Sequence, residues 1–326
     1  MDRNTGALTS IGSVPGPSIS LGLAAVNNQF LYASDTHNSQ VDGFSINQTT
    51  GALTALTGSP FSTGTLSVPG ALASPPGILG SSPGSNLLYV ADSGTVDAFS
   101  ISSAGVPTAI SGSLFLPEAG FSIAVDPSGQ YLYAADDDPP GGIFAFTIDS
   151  TGTLTAVPGS PFTIPGQTVA NSLPVGIVDT GSYVYAALSQ SNQIAAFSIV
   201  SGTGALTPVP NSPFPAGTVP FALVWNGSLL SPGNLLYAID SSDGTISGYS
   251  INSTNGVLTP VSGSPFSIAG LSMATDSFGQ YLYVASPIGI QAFAINISSG
   301  ALTPSTGSPF AASGATLLTV VQIPPP

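Results

Sequence analysis

Short apolar runs, cut at regular intervals by Gly, Pro, Asn and Ser, fill nearly the whole chain, and no stretch carries a helical period. One run ends on tyrosine and recurs at Leu31-Tyr32, Leu88-Tyr89, Leu132-Tyr133, Val184-Tyr185, Leu236-Tyr237 and Leu282-Tyr283. A second, aromatic-Ser-Ile in type, follows each time, from Phe44-Ser45-Ile46 and Phe99-Ser100-Ile101 through Tyr249-Ser250-Ile251 to Phe293-Ala294-Ile295. Gly-Ala-Leu-Thr and Gly-Ser-Pro-Phe then close the unit, at 51–61, 152–162, 204–214, 256–266 and 300–310, with a decayed copy at 105–115. Self-similarity at this spacing is the mark of a repeat array, and it sets the architecture before any single residue sets a chemistry.

Each unit parses into four short strands. In the third copy they fall at 121–125, 131–135, 143–148 and 153–157, and Asp126-Pro127-Ser128-Gly129 supplies the turn between the first two. Four antiparallel strands repeated radially describe an all-β fold, a β-propeller of four-stranded blades. Six complete blades span 18–314, preceded by an N-terminal strand segment, 1–17, and followed by a C-terminal one, 315–326. The first resembles the fourth strand of a blade and the second resembles a first strand. A seven-bladed ring is the alternative count, but a first and a fourth strand cannot pair across the gap left by two missing ones. The tyrosines and phenylalanines are expected to fill the space between blades, each burying roughly 150 to 250 Å².

Composition changes this picture in two ways. Fifteen acidic residues face a single cation, Arg3, for a net charge of −14. Nucleic acid is thereby excluded as a partner, and so are anionic membrane surfaces, because phosphate neutralisation needs clustered Lys and Arg. Mean hydropathy is +0.41, yet no apolar stretch approaches the roughly 18 residues of a spanning helix, so no transmembrane segment is expected. There is no cysteine, and Met1-Asp2-Arg3-Asn4 lacks the basic and apolar regions of a signal peptide. A polar surface almost free of Lys and Arg suits an extracellular or cell-surface location.

The repeats, for example Leu88-Tyr89-Val90-Ala91-Asp92 and Leu282-Tyr283-Val284-Ala285-Ser286 with their aromatic-Ser-Ile and Gly-Ala-Leu-Thr partners, resemble those of YVTN-type and lactonase-like β-propellers, which are secreted or periplasmic. The resemblance covers nearly the whole chain and implies the fold more strongly than an activity, since the shared motifs are blade scaffolding. A phosphogluconolactonase-like member is expected to hold an anionic sugar and to assist attack on a lactone carbonyl.

For that chemistry the chain offers His37 in a loop after the second strand of the first blade, Glu118 between blades two and three, and Arg3 in the terminal segment, positions that do not converge. No His or Cys spacing points to a transition metal. Asp136, Asp137 and Asp138 are the candidate ligands for calcium, without the alternating spacing of an EF-hand, and no other cofactor is expected. Glycosylation sequons begin at Asn47, Asn226, Asn252 and Asn296.

With so few groups able to carry catalysis, the sequence reads as a non-enzymatic, self-associating structural propeller, a filament or surface-array subunit. Its expected partner is itself, through terminal strands carrying Leu8, Ile11, Leu317, Leu318, Val320 and Val321. The two other readings are a lactonase-like hydrolase and a propeller that binds a glycan or a protein.

Overall fold

The computed structural model describes residues 1–17, 19–62, 68–75, 86–92, 94–111, 122–136, 141–168, 173–227, 233–312 and 314–321. Six antiparallel sheets follow one another along the chain, each with four strands in sequence order, and the fourth adds a short fifth, Phe214–Pro215, beside its third strand. The fourth blade is representative: Pro174–Asp179, Tyr183–Leu188, Gln193–Ile199 and Leu206–Pro208. First strands of adjacent blades touch one another around the axis, which is why small apolar residues such as Ala24, Ile123 and Ala274 stand there, all buried. Fourth strands lie at the rim, where only the leading Leu of Leu154, Leu206 and Leu258 is buried and the two residues after it are exposed.

Second and third strands are covered on both faces by neighbouring blades, so they read as almost continuous apolar runs rather than as an alternation. Leu235–Asp240 is buried at every position. The cores are accordingly inter-blade: Tyr89, Ala98 and Leu87 of the second blade pack with Leu132, Phe146 and Leu154 of the third. Tyr185, Ile194 and Phe214 of the fourth pack in the same way with Leu236, Tyr249 and Leu258 of the fifth.

One hydrogen bond recurs between successive blades. The hydroxyl of Tyr32 donates to the carbonyl of Gly105, Tyr89 to Gly152, Tyr133 to Gly204, Tyr185 to Gly256 and Tyr237 to Gly300, over 2.6, 3.0, 3.1, 2.9 and 2.9 Å. Burial pushes these phenols above their ordinary value, so they remain donors throughout the physiological range. The Gly-Ala-Leu-Thr motif is thus the acceptor half of a latch between blades. Tyr185→Phe should lower unfolding free energy by about 1 kcal/mol, the net worth of one buried hydrogen bond, and a denaturant midpoint unchanged from wild type would remove the latch from the account of stability.

The Gly-Ser-Pro-Phe motif has an equally local purpose. Ser59, Ser160, Ser212, Ser264 and Ser308, each ahead of a cis proline, turn their hydroxyls back to accept the backbone N–H of Gly43, Ala145, Ala196, Gly248 and Ala292 in the third strand, over 2.8–3.0 Å. The following Phe then pairs with the start of that strand, as in Val41 with Phe61 and Ile290 with Phe310.

The termini correct the expectation of strands presented to other molecules. Neither 5–11 nor 315–321 forms a strand. Leu8 and Leu318 instead pack on the chain's own sixth blade with Tyr281, Tyr283 and Ala292. Tyr283 donates to Gly6 O over 3.1 Å, the same latch as in the other five blades, and Leu318 N donates to Ser272 Oγ over 3.2 Å as Ile177 N does to Ser122 Oγ between blades three and four. Leu317 and Val321 are half-buried, while Ile11 and Val320 remain exposed. The apolar positions expected to seek a neighbouring molecule are partly satisfied within the chain.

Candidate functional site

The fold places acidic residues in register. Second strands of blades 1, 2, 3 and 5 end on Asp35, Asp92, Asp136 and Asp240, all buried. Most of their bonding is architectural: Asp240 accepts from Gly217 N at 3.1 Å, Thr245 Oγ1 at 3.2 Å and Ser247 Oγ at 2.6 Å. Asp35 accepts from the backbone N and side-chain Nδ2 of Asn38, and Asp92 from Val68 N.

Two blades carry a second carboxylate. On the third strand, in register with the residue two before the terminal Asp, stand Asp42 in blade 1 and Asp97 in blade 2. The same register position holds Phe144, Ala195, Ser247 and Gln291 in blades 3 to 6. In blade 5 the arrangement is neutralised, since Ser247 donates to Asp240. In blades 1 and 2 two carboxylates share one face with no cation between them. Asp97 is fully buried and neither of its oxygens has a hydrogen-bond partner. Its carboxyl is pushed up to about 6, chiefly by burial and then by Asp92. Asp42 Oδ2 is likewise unpartnered, and burial followed by the charge of Asp35 raises Asp42 as well. A pair in which one carboxyl is fixed by donors and its neighbour is raised is the arrangement used for proton transfer.

The two pairs differ in access. Asp97 faces blade 1 and is sealed by it. Asp42 is the equivalent in blade 1, and as a residue it is only partly buried, although its Oδ2 is buried. His37 is exposed in the loop that joins the strand of Asp35 to the strand of Asp42. Of the three sequence-selected residues, His37 thus lies in the turn that joins the two strands carrying this pair. Arg3 lies elsewhere, its guanidinium 5.3 Å from the ring centroid of Phe278 on the sixth blade. Glu118 lies outside the described residues, as do Asp137 and Asp138 of the calcium candidates; Asp136 ends its strand fully within the blade. Among the described residues no cluster of three His, Cys, Asp or Glu could hold a metal ion, and no helix is long and apolar enough to cross a membrane. Of the sequons, Asn226 is buried with its side chain accepting Leu235 N, whereas Asn47, Asn252 and Asn296 are exposed.

Asp42 and Asp97 were not singled out by sequence reasoning, although a signal existed. Val41-Asp42-Gly43-Phe44 and Val96-Asp97-Ala98-Phe99 repeat the same charge at the same apolar strand position.

No family model matches the sequence, nor does any curated protein. Solved structures do share the fold. A Bacteroides fragilis protein provisionally assigned as a 6-phosphogluconolactonase is 20% identical, with 90% of this chain and 84% of that one covered at a TM-score of 0.69. A similarly assigned Bacteroides uniformis protein is 19% identical, with 90% and 86% covered at 0.70. The periplasmic gluconolactonase of Pseudomonas aeruginosa is 16% identical, with 93% and 89% covered at 0.67. The lactonase-like side of the sequence resemblance is therefore matched in fold. The non-enzymatic, filament-forming reading is overturned: similar propellers over nearly the full chain carry lactonase names, and the terminal segments on which that reading relied are docked on the sixth blade.

Proposed function

We propose that the protein is a lactonase-like hydrolase that opens an uncharged sugar lactone, with Asp42 as the general base and Asp35 as the fixed carboxylate that keeps its proton affinity high. The observation that carries this reading is the Asp35–Asp42 pair, in which Asp42 is only partly buried although its unpartnered Oδ2 is itself buried, on a fold shared with lactonase-named propellers. Asp42 takes a proton from water as the water oxygen bonds to the lactone carbonyl carbon. The ring C–O bond then breaks, and the departing alkoxide recovers that proton from Asp42. One water is consumed and a hydroxy acid is formed. Net charge selects the substrate class: with one Arg and no Lys among 326 residues, a 6-phospho group would meet repulsion with nothing to pair it, while a neutral lactone would not. The anionic product would be expelled by the same field. The periplasmic setting of the Pseudomonas neighbour supports a location outside the cytoplasm.

Hydrolysis of D-glucono-1,5-lactone above its spontaneous rate is the test. Asp42→Asn should lower kcat/KM by about 100-fold or more, the usual worth of a general base, and Asp42→Glu should retain part of the rate. The acid limb of the pH profile should lie above the ordinary carboxylate range, because the base must be ionised and its pKa is raised. A rate no greater than spontaneous, or one indifferent to Asp42→Asn, would end the proposal.

A further inference from the structure

Away from Asp35 and Asp42, the fold encloses a cavity of about 370 Å³ whose floor belongs to the sixth blade. Ala274 of the first strand, Tyr283 of the second and Ile290 of the third form that floor, and Leu8 and Leu318 close it from the sides. Several apolar groups of the lining are incompletely covered: Phe278 is 39% exposed and Val320 38%, and Ile290 is partly exposed. The hydroxyl of Tyr283 is taken by Gly6 O, so this residue offers the cavity its ring. A concave, mainly apolar site of this size, with a few convergent polar groups, is the usual form of a small-molecule pocket.

Its polar groups decide what it can hold. Arg3, the single Lys or Arg of the sequence, lines the cavity with its guanidinium 5.3 Å from the ring centroid of Phe278. An aromatic face steadies a guanidinium without neutralising it. The carboxylates closest to these two residues in sequence turn to backbone N–H groups. Asp2 accepts Asn4 N at 2.8 Å and Thr5 N at 3.3 Å, and Asp276 accepts Gln280 N at 2.6 Å, Tyr281 N at 2.7 Å and Phe278 N at 3.2 Å. Ser277 and Thr319 add hydroxyls to the same lining. In a chain of net charge −14, the one cation marks the place where an anion meets attraction.

We infer that this cavity binds a carboxylic acid with an apolar tail, the carboxylate on Arg3 and the tail against Leu8, Ile290 and Leu318. A guanidinium matches one carboxylate in charge and in its forked geometry, and the sequence has no second Lys or Arg to hold a dianion such as a phosphate monoester. A polyhydroxy acid of the kind released from a sugar lactone is a poor occupant, because its hydroxyls would lose their water against aliphatic walls. The cavity is built on the sixth blade, while Asp35 and Asp42 belong to the first, so the assignment does not rest on the hydrolase reading.

Titration calorimetry of the whole protein with sodium octanoate at neutral pH is the test. Saturable binding is expected, about tenfold tighter than that of hexanoate because two further methylenes are buried. Gluconate, with the same charge and no tail, should not bind. Arg3→Gln, at an exposed position and therefore compatible with folding, should weaken octanoate about fivefold, the worth of an exposed ion pair, and leave the affinity for octanol unchanged. Arg3→Lys should recover part of the loss. Ile290→Glu, which sets a second carboxylate beside the tail, should abolish binding of both probes. Absence of saturable octanoate binding, equal affinity for gluconate, or octanoate affinity untouched by Arg3→Gln overturns the assignment.

Discussion

Asp97→Val should raise the melting temperature by several degrees at pH 8 and leave it nearly unchanged at pH 4. The aspartate is completely buried between blades 1 and 2, both oxygens lack partners, and Asp92 adds a like charge. Its folded pKa of about 6 lies above an unfolded value of about 3.9. The fold therefore binds its proton more tightly than the unfolded chain does. Below pH 4 the group is protonated in both states and costs nothing by ionisation; as pH rises through 6 the folded state must carry a buried charge, and stability is lost. Two pKa units correspond to about 3 kcal/mol, an upper figure for what valine, which is close to aspartate in shape, would restore at pH 8. Asp179, pushed to about 7 mainly by burial and to a lesser degree by Asp126, adds to the same trend, so the wild-type protein should grow more stable from pH 8 toward pH 4. Below that, Asp149 acts oppositely: it is held low, first by the Thr151 hydroxyl, and its contribution disappears as it protonates. A calorimetric series at pH 4, 6 and 8 checks both claims, and an Asp97→Val protein no more stable than wild type at pH 8 would remove the unpaired carboxylate from the account.

The strands were legible because the repeat supplies six independent readings of each one. Tyr131–Asp136 and Gly142–Ile148 differ by one residue from the spans that sequence gives for them. The turn at Asp126 was equally legible, and its mechanism is visible: the carboxylate accepts Gln130 N at 2.7 Å and Tyr131 N at 2.6 Å, and Gly129 adopts φ 74°. The fate of the termini was not legible. Leu317 and Leu318 look the same in sequence whether they seek another molecule or their own sixth blade, and the choice depends on a surface formed by Tyr281, Tyr283 and Ala292. The carboxylate pairs escaped notice for a related reason. Asp35 and Asp42 stand seven residues apart in sequence, and only the strand register that places Ala33 opposite Asp42 brings them to one face. Attention to scarce residue types favoured His37 and Glu118, whereas the electrostatic anomaly lay in the commonest charged residue of the chain.

Gly204→Ala should destabilise the protein by about 3 to 5 kcal/mol, while Gly202→Ala, two residues away, should cost only about 1. The backbone conformation is nearly the same at both, φ 72° and φ 80°, so each substitution bears the left-handed penalty of about 1 kcal/mol. Their surroundings differ. A Cβ on Gly202 would meet nothing within 4 Å, whereas one on Gly204 would lie 2.3 Å from Cδ1 and 2.5 Å from Cε1 of Tyr131. That ring is held by the strand it belongs to and by its tilted contact with Tyr133, 6.5 Å between centroids. Moving the glycine instead would withdraw its carbonyl from the Tyr133 hydroxyl, 3.1 Å away. Overpacking adds about 1 to 3 kcal/mol and loss of the hydrogen bond about 1. The pair of variants separates a backbone effect from a packing effect at one turn. Equal denaturant midpoints for the two would mean that the Tyr131 ring yields freely, and that the glycine of the Gly-Ala-Leu-Thr motif is required for its dihedral angle alone and not for the close approach of the preceding blade.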